Sequence, residues 1–385
     1  RLYQWRKHID GWRHARLNCQ HMKIKAAILY EQRKPLVIED IELAPPQHGE
    51  VLVKIGAAGL CHSDLSVIDG ARPRPLPMAL GHEAAGEVVE CGTGVSDLRP
   101  GDRVAFSFVP TCGHCIPCST GRPALCEPGA AANTKGTLLN GGMRLQAGSI
   151  YHHLGVSAFA EYAVVSRHSL VKIPATLPYN IAALFGCAVM TGVGAVTNTA
   201  AVRMGQSVLI TGLGGVGFAA LLGAVAAGAG QIIAADINPE KRKLALELGA
   251  SAVVDPGAPG ALEELKTLTH GGVDVAVEFA GVIAALEFSF AATRRGGTTV
   301  TAGLPHPDKR MSLSPVVLVG EERTLKGSYL GSCIPSRDIP AYIALYQAGR
   351  LPVDALLSHT LRLDQINEGF ERLANGTAIR QVVVF

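Results

Sequence analysis

From Lys23 to about Tyr162 the apolar positions come in short, often β-branched runs separated by Gly/Pro turns. Lys23–Ile28, Val51–Ile55, Gly86–Glu90 and Arg103–Phe106 have the length and composition of strands. Arg99-Pro100-Gly101-Asp102 reads as a tight turn. This grammar predicts a compact β-rich unit. The rhythm changes after about Met190. Ser207–Thr211 reads as a buried strand, Val216–Ala229 as a helix of small residues, and Gln231–Ala235 as a second strand. Pro239–Leu248 is helical, with charges on one side. Ala252–Val254, Asp274–Phe279, Thr298–Ala302 and Thr324–Tyr329 are further strands, with helices at Ala261–Leu268 and Val282–Thr293. Six strands joined by crossover helices predict an α/β fold with a doubly wound parallel sheet. The tail ends in another strand, Gln381–Phe385, expected to return to the first unit. The expected division is residues 1–21 outside the fold, 22–188 and 330–385 in the β-rich unit, and 189–329 in the parallel-sheet unit.

Two uncharged stretches, Ile173–Val202 and Gly205–Ala235, are apolar enough to suggest membrane spans. Gly, Thr, Asn or Pro interrupts both. The second also divides into strand, turn, helix and strand, so no span is expected. Hydrophobic residues make up 48% of the chain and charged residues 17%, which fits a well-buried enzyme and argues against disorder. Of the net charge of +3, residues 1–21 carry +4, from five cations against Asp10, so the body stands at −1. A near-neutral body gives no footprint for nucleic acid. Residues 1–21 also hold both tryptophans, and the strand-like pattern begins only at Met22. They are expected to be an extension or a misplaced start.

Cys112, Cys115, Cys118 and Cys126 are spaced C-x2-C-x2-C-x7-C, with Gly113, Pro117, Gly121 and Pro123 bending the chain between them. Such thiolates can close around one tetrahedral Zn2+, and four protein ligands leave no open position. A structural zinc is therefore expected. A disulfide framework is a poor fit to a chain without a recognisable secretory signal. Iron–sulfur runs usually have tighter spacing to the last cysteine and a following proline. Cys61, Cys187 and His82, which is followed by Glu83, remain over. Two thiolates and one imidazole could form a second zinc site with its fourth position open. Singly, Cys187 reads equally as a buried thiol and His82 as a core histidine. Cys19, Cys91 and Cys333 are surplus thiols, expected to be reduced in a cytoplasm.

Gly212-Leu213-Gly214-Gly215-Val216-Gly217 follows a strand and opens a helix, the context required of a dinucleotide loop. Gly212 permits the tight turn, Gly214 lets the backbone approach a pyrophosphate, and Gly217 lets helix and strand pack closely. The helix N-terminus offers N–H groups and partial positive charge to the phosphates. Asp236 ends the second strand, twenty-four residues beyond Gly212. A carboxylate there accepts hydrogen bonds from ribose hydroxyls and repels a 2′-phosphate, which predicts NAD(H) over NADP. The other reading of Asp236 is a cap for the helix at Pro239. The parallel-sheet unit is thus read as Rossmann-type.

At these residues the chain resembles the zinc-dependent alcohol dehydrogenases of the medium-chain dehydrogenase/reductase family. Gly81-His82-Glu83-x2-Gly86-x5-Gly92-x2-Val95 matches that family's zinc signature. The resemblance runs from about Lys25 to Phe385 and takes in the four-cysteine lobe, the glycine loop, Asp236-Ile237-Asn238 and Ile379-Arg380. It implies a GroES-like catalytic domain with a structural-zinc lobe, and two zincs per subunit. By matched position it implies Cys61, His82 and Cys187 as ligands of the catalytic zinc, and the four-cysteine set as the structural site. Asp64 resembles the carboxylate that orients the ligand histidine, and Glu83 the mobile carboxylate behind the metal. Ser63 resembles the hydroxyl that bonds the substrate oxygen. His62 and Arg380 resemble pyrophosphate contacts, Lys241 a basic residue near the adenosine ribose, and Thr191 a residue packing beside the nicotinamide. Gly215 and Val216 complete the loop. Phe108, His153, Leu154 and Val316 resemble pocket residues.

The implied reaction interconverts a primary alcohol, aromatic or medium-chain, and its aldehyde. Ser63 passes the alcohol proton outward and hydride moves to the nicotinamide. One position departs from the family pattern. The proton relay there commonly ends in a histidine, and this chain has Ser66, which is no near-neutral base. The pocket candidates show no cationic pair for a carboxylate-bearing thiol adduct. A glutathione-dependent formaldehyde dehydrogenase and a catalytically silent relative stand as alternatives. A small-molecule substrate, no nucleic-acid or membrane partner and a cytoplasmic setting are expected. By the same family resemblance, the long segment Pro128–Ile150 implies a homodimer joined through the last strand of the nucleotide domain.

Overall fold

In the computed structural model, which describes residues 21–385, the strands form three sheets. The expected leader and its Cys19 lie, up to residue 20, outside the described residues. One sheet has six strands, in the order Ala252–Val254, Gln231–Ala235, Ser207–Thr211, Val273–Glu278, Thr293–Thr301 and Thr324–Gly327. All its pairings are parallel. This is the 3-2-1-4-5-6 order of a dinucleotide-binding sheet, and its switch point lies beside the strand that feeds the glycine loop. Three of the strands have the limits read from the sequence. Ser207–Thr211 and Gln231–Ala235 are buried from their second residue on, so a short apolar run marks them cleanly.

The β-rich unit centres on Glu50–Gly59. This strand pairs with Glu83–Cys91, Tyr162–Ser166 and the C-terminal strand Arg380–Val384. The tail does return to the first unit, and the return sets Arg380 beside Leu60. A smaller sheet joins Val37–Leu43, Met22–Leu29, Met78–Ala79 and Tyr151–His152.

The first uncharged stretch differs from its reading. Tyr179–Thr199 is one helical run of 21 residues, with π-helical turns at Phe185–Val189 and Ala195–Thr199. Glycine lowers helix propensity, which is why the stretch looks broken. Here the glycines serve contact: a Cβ on Gly192 would lie 2.3 Å from Val216 O. The run is long and apolar enough to cross a membrane, yet 83% of its apolar window is buried inside the protein. Its first half packs on strands Glu50–Gly59 and Glu83–Cys91, and its later part on helix Gly215–Ala226. One core cluster accordingly spans both units, from Cys61, Phe108 and Cys187 to Leu213 and Phe218.

A buried ion pair holds the segment after the four-cysteine lobe. Arg144 donates from Nε to Glu50 Oε2 at 2.8 Å and from Nη2 to Oε1 at 2.7 Å. Its backbone N–H donates to His152 Nε2 at 3.0 Å, so His152 sits buried and neutral. Burial, with the Arg144 charge adding to it, pushes His152 down to about 3. The unfolded chain takes up a proton near pH 6.5 that the folded chain refuses until about 3. Stability is therefore lost as pH falls across that window, by about 1.4 kcal/mol per pH unit from this group. His152→Gln is expected to flatten the acid limb of urea unfolding between pH 6.5 and 5. Parallel limbs for variant and parent would rule the assignment out.

Candidate active site

The fold brings Cys61, His82 and Cys187 together from three elements. Cys61 follows the central strand and is the N-cap of helix His62–Ile68. His82 immediately precedes strand Glu83–Cys91. Cys187 sits within the π-helical turn Phe185–Val189 of the long helix. Cys61 Sγ and Cys187 Sγ are 3.9 Å apart, and Cys187 Sγ lies 3.4 Å from His82 Nε2. A tetrahedral Zn2+ would set these separations at about 3.8 and about 3.6 Å. The donors therefore fit the metal. The thiol of Cys187, facing Cys61, holds Cys61 well below the ordinary thiol range.

Asp64 organises the back of this set. Its Oδ1 accepts from Gly81 N at 3.0 Å and lies 3.1 Å from His82 Nδ1. That contact places the proton on Nδ1 and leaves Nε2 with its lone pair toward the thiols. His153 Nδ1 stands 3.0 Å from the same oxygen, without hydrogen-bond alignment, and its ring meets His82 edge-on at 5.5 Å. His153 is thus a buried neighbour of the orienting carboxylate. Burial pushes the Asp64 carboxyl up, but His82 and His153 outweigh it and leave it at about 2.

Glu83 is buried beside the donors, and neither of its oxygens has a hydrogen-bond partner. Burial pushes its carboxyl up to about 7, against the pull of Arg380. Arg380 Nη1 lies 3.4 Å from Glu83 Oε2 and donates to Leu60 O at 2.9 Å. Its Nε is buried without a partner and presses on the glycine loop, 2.3 Å from where a Cβ on Gly215 would lie.

The four-cysteine lobe forms a second, closed set. The sulfurs of Cys112, Cys115, Cys118 and Cys126 all lie within 4.8 Å of one another. Backbone N–H groups of Cys112 and Gly129 donate to Cys126 Sγ at 3.2 and 3.4 Å, and that of Cys115 to Cys112 Sγ at 3.3 Å. Such donors favour thiolates, the form that binds Zn2+. The described cysteines are all free thiols.

The glycine loop has room for phosphate. Gly212 has φ +89°, a left-handed value. A Cβ on Gly217 would lie 1.8 Å from Gly212 O, whereas one on Gly214 would meet nothing within 4 Å. The space before Gly214 is thus open for a pyrophosphate at the N-terminus of helix Gly215–Ala226. Asp236 does not cap the next helix. Asn238 does, accepting from Glu240 N at 2.9 Å and Lys241 N at 3.4 Å. Asp236 instead clamps the loop: Oδ2 accepts from Leu213 N at 2.7 Å and Oδ1 from Asn238 N at 2.8 Å.

Phe108 meets His82 edge-on at 5.2 Å, and Tyr329 meets Phe108 edge-on at 6.1 Å. Tyr329 lines a cavity of about 390 Å3, with Leu304, Leu125, Arg122 and Ser332. Leu154 packs in the same core cluster as Cys61 and Cys187. Thr191 follows Cys187 by one helical turn, on the same face. Ser63 is half-buried, two residues from Cys61. Ser66 Oγ donates to His62 O at 2.8 Å, so its proton is already engaged. Val316 stands 75% exposed on helix Pro315–Gly320, away from the cavity lining. Tyr329 and Leu304 were not legible as lining residues, because only the meeting of the two units brings Tyr329 against Phe108 and both into the cavity wall.

A dinucleotide sheet and a β-rich unit, with an open Cys2His set where they meet, define a metal-dependent dehydrogenase. Residues 47–175 match the alcohol dehydrogenase GroES-like domain, and residues 215–348 the zinc-binding dehydrogenase domain. An NDMA-dependent alcohol dehydrogenase from Amycolatopsis methanolica is 40% identical over 376 residues, covering 94% of this chain and 99% of that one. The crystal structure of benzyl alcohol dehydrogenase from Acinetobacter calcoaceticus is similar, with a TM-score of 0.91 and 32% identity, over 94% of this chain and 99% of that one. So is an alcohol dehydrogenase zinc-binding domain protein from Burkholderia ambifaria, with a TM-score of 0.91 and 34% identity, over 95% and 100%. The chain belongs to the zinc-dependent alcohol dehydrogenases of the medium-chain dehydrogenase/reductase family.

Proposed function

We propose that this enzyme interconverts a primary alcohol, aromatic or medium-chain, and its aldehyde with NAD(H). Cys61, His82 and Cys187 would hold the catalytic zinc, and Cys112, Cys115, Cys118 and Cys126 a structural one. The observation that carries the reading is the zinc-like spacing of the three converging donors. Zn2+ in such an open site makes an alcohol hydroxyl acidic or polarises a carbonyl. The nicotinamide supplies the hydride acceptor. Asp64 keeps the His82 tautomer that leaves Nε2 free. The Ser63 hydroxyl takes the alcohol proton and hands it outward. Ser66 is bonded to a helix carbonyl and has no basic group, so the proton leaves by another route. Phe108 and Leu154 keep water from the reacting atoms. His62 and Arg380 contact the pyrophosphate, Lys241 lies near the adenosine ribose, Thr191 packs at the nicotinamide, and Asp236 selects NAD over NADP.

The same reading assigns residues 22–188 and 330–385 to the catalytic domain and 189–329 to the nucleotide domain. It includes a cytoplasmic setting and a homodimer; the homodimer is supported by the open edge of strand Thr324–Gly327 and by Val316 and Val319 on the preceding helix, 75% and 76% exposed.

The test is NADH consumption with an aldehyde panel that includes benzaldehyde and hexanal, with and without a zinc chelator, repeated with NADPH. Alcohol oxidation is run in parallel with free NAD and with NDMA as oxidant, because the Amycolatopsis relative is NDMA-dependent. NADH turnover that the chelator abolishes is the expected result. Silence across the panel, in protein holding two zincs, would sink the reading. Alcohol oxidation that needs NDMA would replace free NAD as the oxidant.

A further inference from the structure

The loop after helix His62–Ile68 carries two arginines in a proline frame, Arg72-Pro73-Arg74-Pro75. Each arginine precedes a proline, so its backbone is confined to extended conformations. Both side chains are half-buried. Arg72 Nη2 donates to Leu304 O at 3.1 Å, crossing from the catalytic unit to the nucleotide unit. Leu304 is also a wall of the 390 Å3 cavity, so this guanidinium stands at the cavity's rim. The charges of both arginines bear on Tyr329, another wall of that cavity. Arg122 lines the same cavity from the four-cysteine lobe.

A domain latch alone does not account for this arrangement. The bond to Leu304 uses one of the five N–H donors of Arg72. Among the described residues neither Arg72 nor Arg74 makes an ion pair, and the Arg74 guanidinium makes no hydrogen bond. The acid nearest in the chain, Asp69, is exposed and accepts from Ala71 N at 2.8 Å. Burial pulls the Arg72 guanidinium below its ordinary range, with Arg74 adding its like charge. Half-desolvated cations without a counter-charge are costly, and a ligand anion removes that cost. Among the residues that line the cavity Arg122 is the one cation, and Arg72 stands at its rim through Leu304.

We propose, on the zinc-dehydrogenase reading above, that Arg72 and Arg74, with Arg122, bind a carboxylate on the substrate at the end remote from the reacting carbon. The preferred substrates are then alcohols and aldehydes that carry a carboxylate. A guanidinium matches that group with paired, charge-assisted hydrogen bonds.

The test compares 4-formylbenzoate with 4-formylbenzamide, which differ in charge and hardly in shape. The acid is expected to have the larger kcat/KM with NADH by about tenfold or more, mostly through KM, since hydrogen bonds between charged partners are stronger than those to a neutral amide. Arg74→Met and Arg72→Met each bring the acid-to-amide ratio toward one, and Arg74→Lys restores part of it. In parallel, calorimetry on the zinc-loaded protein with NADH measures the unreactive pair 4-methylbenzoate and 4-methylbenzamide. Tighter binding of the carboxylate, lost in Arg74→Met, supports the subsite even if neither aldehyde turns over. That case would fault the proposed reaction and leave the subsite standing. Equal kcat/KM for the two aldehydes, or equal affinities for the unreactive pair, including none measurable for either, overturns the proposal.

Discussion

Replacing Cys187 by alanine is expected to abolish turnover and to lower the zinc content from two per chain to one. The substitution removes one donor from the open set while the four-cysteine lobe keeps all of its sulfurs. A set of Cys61 and His82 alone binds zinc weakly and leaves a poorly defined geometry. The activity loss should exceed the about 10–100-fold typical of removing a group that only orients a ligand. Asp64→Asn supplies that milder comparison, because it weakens the hold on His82 Nδ1 and leaves the three donors in place. Elemental analysis of the purified variants, beside kcat/KM, separates the cases. Full activity in Cys187→Ala with both metals retained would remove the basis for the catalytic site.

The second large effect concerns Asp236. Both of its oxygens already accept backbone N–H groups, from Leu213 in the glycine loop and from Asn238 at the next helix. Asp236→Ala leaves both donors to find water, at about 1–3 kcal/mol for each one left unpaired. The loop loosens, and KM for NADH is expected to rise at least about tenfold. Asp236→Asn separates charge from clamp. It keeps one accepting oxygen and removes the negative charge that would repel a 2′-phosphate. With Asn, the NADPH-to-NADH ratio in kcat/KM should rise, while the melting temperature falls less than in Asp236→Ala, because one of the two backbone N–H groups keeps its acceptor. If that ratio does not move in either variant, Asp236 is a clamp only, and the NAD preference has another source.

How far the site could be read ahead of the structure depended on how local each signal is. The four cysteines lie within one short segment, so spacing alone suggested a closed metal site. The glycine loop was legible because strand, turn, helix and acid arrive in sequence, and the parallel strands are buried apolar runs. Cys61 and Cys187 are far apart in the chain, and their pairing rested on family resemblance until the fold brought their sulfurs to 3.9 Å. The helix Tyr179–Thr199 was misread because its glycines look like breakers, whereas Gly192 is needed for close approach to Val216. The clamp made by Asp236 was hidden for another reason: its partner is a backbone N–H, which no side-chain pattern reveals. His153 was read as a pocket residue, and its contact with Asp64 depends on how the segment after Ile150 folds back.

The long helix limits how this enzyme can be recombined. Cys187 lies midway along a rod that packs first on the β-rich unit and then on the helix that follows the glycine loop. The two halves of the molecule therefore do not meet at a linker. A chimera that takes the nucleotide-binding half from a relative must cut before Tyr179 or after Thr199. A junction between Cys187 and Gly192 would preserve every motif in the sequence. It would also let a small difference in helix phase turn the third sulfur away from its partners. Exchange between relatives should thus move this helix as one block, together with whichever half its glycines fit.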